Sequence, residues 1–196
     1  MININTATLS VPKKDVAFLD AGIHENVALV GARKGTATNG NSFIELTFDK
    51  NGSKLKHTEF KPSVGSFMTE EMVNEKTTKQ ASRIMDILKC FYTEEQLAFD
   101  GEYDAFTTWA VALLEGADKT KLVRIKAVYG RTGYVTLPPQ AGYTFIEPMT
   151  VSTNDSMIRA LSMDVFTRPE KIDDKEEVTT SGAETFTSPA TNGIPF

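Results

Sequence analysis

The sequence predicts a mainly β domain with helices inserted after its third strand. Residues 22–61 read as three strands joined by two turns. Residues 78–116 carry apolar side chains at helical spacing, and from residue 122 strand alternation returns. At 196 residues, 40% of them hydrophobic, the chain is long enough to bury a core.

The lead-in, residues 1–21, is mixed. Ile2 and Ile4 alternate with polar residues as an edge strand would, whereas Pro12 and the Lys13-Lys14 pair suggest a loop. In the first strand Val27, Leu29 and Gly31 alternate with Ala28, Val30 and Ala32, which predicts burial on both faces near its middle. Residues 35–42, rich in Gly, Asn and Ser, are turn chemistry. In the second strand Ile44, Leu46 and Phe48 share the inward face and Phe43, Glu45 and Thr47 the other. Asp49-Lys50-Asn51-Gly52 predicts a tight hairpin, because Asn-Gly accepts positive φ. In the third strand Leu55 points inward, and Lys54, Lys56, Thr58 and Phe60 point outward.

The middle is helical. Ala81, Ile84, Met85, Leu88 and Phe91 predict a helix over 78–91. Thr93 to Gln96 forms a capping box that starts a short turn. Asp104 is placed to cap a further helix with a Phe106, Trp109, Ala110, Leu113, Leu114 stripe, ended by Gly116. The Trp109 side chain is expected in the core. In residues 122–129, Val123, Ile125 and Ala127 lie on one face and Arg124 and Lys126 on the other. Gly130 to Gly133 is a turn, 134–137 a strand, 143–146 one more, and 154–163 a short helix.

Charge divides the chain. Residues 1–168 hold 19 Lys+Arg against 20 Asp+Glu, net −1, and residues 169–196 hold 2 against 6, net −4, within a total of 21 against 26. The expected organisation is a domain over 1–168 and a disordered acidic tail over 169–196, where Glu170 to Glu177 is a charge run and nothing has a period. One cysteine excludes an internal disulfide and suits a reducing cytoplasm. No basic-then-apolar leader and no membrane-length apolar run stand out, so a soluble cytoplasmic protein without membrane contact is expected.

Strand, strand, strand, helix, strand, strand is the order of an OB-fold barrel, which carries its helical segment between the third and fourth strands. Such folds bind single strands in a basic groove with aromatic platforms, flanked by the first–second and fourth–fifth strand loops. Those loops here are 35–42 and 130–133. Residues 119–134 hold five basic residues, no acidic ones and two tyrosines. The candidate phosphate contacts are Arg33, Lys34, Lys54, Lys56, Lys121, Arg124, Lys126 and Arg131, with Phe43, Phe60, Tyr129 and Tyr134 as base platforms.

The terminus Ile194-Pro195-Phe196, after an acidic stretch, resembles that of bacterial single-stranded DNA-binding proteins, and the strand pattern is similar to their phage-encoded relatives. The resemblance covers 22–49 and 121–146 best, together with the last three residues. It implies an OB-fold protein that protects single-stranded DNA during replication, recombination or repair in the host cytoplasm. It also implies that Ile194, Pro195 and Phe196 dock replication or recombination proteins. The pattern departs from the bacterial one, because Thr191-Asn192-Gly193 stands where aspartates precede the tip. The acidic tail is expected to compete for the groove when DNA is absent.

Catalysis is not expected. No glycine-rich phosphate loop or Ser/His/Asp set stands out, and no cofactor is implied. His24, His57 and Cys90 lie in different elements and make no metal site, Cys90 reading as a small buried hydrophobe. Asp49, Glu59 and Lys61 loosely match a metal-dependent nuclease. The rival from another class is a β-rich interaction or virion protein whose groove binds a protein rather than DNA.

Overall fold

A computed structural model describes residues 17–65, 68–140 and 142–169. Its elements in order are β1 (Gly22–Thr36), β2 (Ser42–Lys50), β3 (Ser53–Phe60), α1 (Glu70–Leu88), a single 3₁₀ turn (Glu94–Leu97), α2 (Tyr103–Gly116), β4 (Leu122–Tyr129), β5 (Val135–Thr136) and β6 (Ile146–Pro148). The strands form one antiparallel sheet in the order β3-β2-β1-β4-β5, with β6 also on β4. The described residues are therefore mainly β with two α-helices. Among the described residues no helix is long and apolar enough to cross a membrane.

The β2–β3 hairpin follows from its turn. Asn51 (φ 54°) and Gly52 (φ 90°) both take left-handed backbone between the paired Lys50 and Ser53, as a type I′ turn requires. That turn sets the register, so Ile44, Leu46, Phe48 and Leu55 are buried together. β1 departs from the expected two-sided burial. A bulge between Leu29 and Gly31 leaves Val30 exposed and shifts the inward phase from Leu29 to Ala32.

α1 begins eight residues earlier than expected, where Thr69 caps it by accepting from Met72 N at 3.3 Å, and it ends at Leu88. Its first two turns are mostly exposed, so hydrophobic periodicity could not reveal them. Asp104 is not the cap of α2: Glu102 holds that position and Asp104 lies in the first turn, bonded to Lys61. The Thr93–Gln96 capping box is present. α2 packs on β1, and α1 on α2 and β6. Trp109 is half-buried against Phe99 and Phe106.

Two expectations need correction. The sheet does not close into a barrel. β3 and β5 lie against each other, but β5 is only two residues long and no ladder joins them among the described residues. A side-chain bond spans that seam, His57 Nδ1 to Thr136 Oγ1 at 2.7 Å. The helix expected over 154–163 is absent. Residues 149–169 instead form an irregular strap along β4, entering at Met149 N to Leu122 O (3.1 Å) and leaving at Tyr129 N to Val165 O (2.8 Å). The tail and its Ile194-Pro195-Phe196 tip lie outside the described residues.

Candidate functional site

Strand alternation brings one set of side chains onto the outer face of β1, β2 and β3. Register pairs Phe43 with Phe60, Arg33 with Glu45, Thr47 with Lys56 and Asp49 with Lys54. The Phe43 and Phe60 rings sit 5.8 Å apart, and the Arg33 guanidinium lies 5.1 Å from the Phe43 centroid. The tip of the Phe43 ring leans over Gly35, where an added Cβ would come within 2.6 Å of it, so a side chain there would push the ring from its place.

Beyond β3 this face runs into a groove of about 500 Å³ at the β3–β5 seam. Phe18, Lys54, Lys56, Tyr129, Tyr134 and Arg168 line it, with Asp20 as its acidic member. Phe18 is 70% exposed, Tyr134 74% and Phe60 51%, so these aromatic surfaces face solvent. The Gly130–Gly133 turn builds one wall: Gly133 takes φ 72°, and Gly130 N donates to Tyr134 O at 2.8 Å, returning Tyr134 to the side of Tyr129. The opposite wall is the β3 edge, where Leu19 N donates to Lys54 O and Lys54 N to Ala17 O, holding Phe18 there.

The structure thus brings together Lys54, Lys56, Tyr129 and Tyr134, with exposed Arg131 on the adjoining turn. Arg33, Phe43 and Phe60 share the neighbouring sheet face. Four other candidates go elsewhere. Lys34 turns to α2, donating to Asp104 O and Thr108 Oγ1, both at 3.1 Å. Lys121 donates to Phe91 O just beyond α1.

Arg124 and Lys126 are buried, because the strap covers the β4 face on which they lie. Arg124 is held by Glu147, Glu25 and Thr153. Lys126 donates to Asp164 Oδ2 at 2.7 Å and to Arg159 O at 3.0 Å. A buried cation with its partners supplied has no charge to offer a phosphate.

The acidic pair of the nuclease alternative also separates. Asp49 pairs with Lys54 and Glu59 with Ile44, at opposite ends of the hairpin, about 17 Å apart along the strand. Asp49 accepts from Gly52 N within the turn. Glu59 lies on the inner side, clasped by Arg83 through Nε (2.7 Å) and Nη2 (2.8 Å) and bonded to His57 and Gln80. Burial pushes its carboxyl up, but the His57 and Gln80 hydrogen bonds and the Arg83 charge outweigh that and bring it down to about 2. Cys90 stands in the turn after α1, and burial pushes its thiol up to about 12, which keeps it protonated at neutral pH. Among the described residues no three His, Cys, Asp or Glu side chains gather as a metal site.

Phe18 and Arg168 escape sequence reasoning. Each stands in a stretch without clear period, and only the fold carries them to Lys54 and Tyr134. The chain matches no protein-family model and no curated protein.

Proposed function

We propose that this protein is a non-catalytic single-stranded DNA-binding protein of the phage-encoded type, with an incompletely closed OB-fold. The observation that carries the reading is the seam groove: Lys54, Lys56 and Arg168 beside the exposed rings of Phe18 and Tyr134. Backbone-tracking cations interleaved with aromatic platforms are what a single strand needs, and neither discriminates strongly among bases. The strand order β3-β2-β1-β4-β5, with α1 and α2 between β3 and β4, supports the OB-fold part.

In this reading Lys54, Lys56, Arg131 and Arg168 contact phosphates, while Phe18, Phe60, Tyr129 and Tyr134 stack on bases. Each platform contributes about 1–3 kcal/mol, so two or three suffice for useful affinity. The protein would coat exposed strands during replication, recombination or repair. Recruitment of partner proteins by Ile194, Pro195 and Phe196 belongs to the proposal on the strength of the resemblance alone.

Titration with oligo-dT over a salt series tests it. Trp109 packs among Phe99 and Phe106 on α2 and does not line the groove, so tyrosine emission or labelled DNA is the signal to follow. With four cations on phosphates the log–log salt slope should be about −3. No binding below roughly millimolar, or a flat salt response, removes the DNA reading in favour of a groove that binds a protein.

A further inference from the structure

On the outer sheet face one carboxylate stands among the cations. Glu45 Oε1 accepts from Arg33 Nε at 2.8 Å and lies 3.9 Å from Lys56 Nζ. The Glu45 side chain is 15% exposed, whereas those of Arg33 and Lys56 are 57% and 56% exposed. The two cations can therefore swing to an incoming ligand while the carboxylate stays. Arg33 is held at a second point by the Phe43 ring. Its hydrogen bond to Glu45 keeps that carboxyl below its ordinary range, so Glu45 is charged throughout the neutral region.

We infer that Glu45 is an internal stand-in for phosphate, occupying Arg33 until the backbone of a single strand displaces it, with Lys56 close by. This rests on the DNA-binding reading above and adds a residue that sets affinity and salt response. Planar guanidinium binds carboxylate and phosphate in the same geometry, so the exchange needs no new fold. Leaving Glu45 also frees Arg33 from the face of Phe43, which opens that ring to a base. Glu45 thus makes Arg33 and Phe43 a reserve surface beside the groove, engaged only when phosphates compete successfully with the carboxylate.

Glu45→Gln keeps the side chain's shape and removes the competitor. It should tighten oligo-dT binding about two- to fivefold at low salt, the fold-change of an exposed ion pair lost. The salt slope should steepen by about 0.7, for the one cation released, Arg33. Arg33→Gln should cost little affinity in the wild-type background and cancel most of the gain in the Glu45→Gln background. Asp20→Asn removes a groove carboxylate for which no cation partner is seen among the described residues, and should give a smaller gain.

If wild type binds and Glu45→Gln binds no tighter, the inference is overturned and the DNA reading stands. Equal gains from Asp20→Asn and Glu45→Gln, or an equal Arg33→Gln cost in both backgrounds, also overturn it. If neither wild type nor Glu45→Gln binds oligo-dT, the DNA reading falls and this inference with it.

Discussion

Glu59 illustrates how one residue's role depends on its facing. It sits at an alternate position of β3 from Lys56 and Thr58, so the pleat turns it inward to Arg83 and Gln80. Its carboxyl falls from 4.5 to about 2 in the folded state, so the unfolded chain binds a proton more readily. Its stabilisation is therefore complete above about pH 4.5 and is lost as pH falls toward 2. With the side chain only 12% exposed, solvent screening is slight, and the shift corresponds to about 3 kcal/mol. Glu59→Gln should lose about that much stability at pH 7 and flatten the acid limb of a urea-denaturation series. Parallel acid limbs for the two proteins would refute it.

At the scale of elements the strap decides which basic residues of β4 are available. The Lys126–Asp164 pair is almost fully buried, at 1% and 0% side-chain exposure. Removing one partner of such a pair strands the other charge, at a cost of about 3–5 kcal/mol. Lys126→Met should lower the unfolding midpoint by that mechanism while leaving oligo-dT affinity of the folded protein unchanged. Lys56→Ala should do the reverse, keeping the midpoint and weakening DNA binding severalfold. Thermal melts beside the titration check both, and a DNA-affinity loss in folded Lys126→Met would contradict the assignment.

On the whole-molecule scale charge is unevenly shared. Residues 1–168 carry net −1 and residues 169–196 net −4 of the chain's −5. The described chain also reaches the groove near its end, at Arg168. A protein ending at Arg168 should bind DNA more tightly at low salt, with the difference vanishing toward roughly 0.5 M as screening shortens the Debye length. Identical affinities at 20 mM salt would remove the competitive role of the acidic segment.

Local rules made much of this chain legible. The Asn51-Gly52 turn, the inward set Ile44, Leu46, Phe48 and Leu55, and the Thr93 capping box depend on neighbours in sequence, and the sequence by itself determined them. The outward position of Phe43, Lys54, Lys56 and Phe60 follows from the same alternation. The β1 bulge, the burial of Arg124 and Lys126 and the inclusion of Phe18 and Arg168 did not. Alternation tells which side of a strand a residue takes, not what covers that side. Among the described residues nothing packs over Lys56 on β3, which stays exposed, while Lys54 is half-buried at the groove wall beside Phe18. On β4 a strap of no regular pattern covers the face, and only the tertiary structure could decide that identical chemistry is a surface in one strand and a buried ion pair in the other.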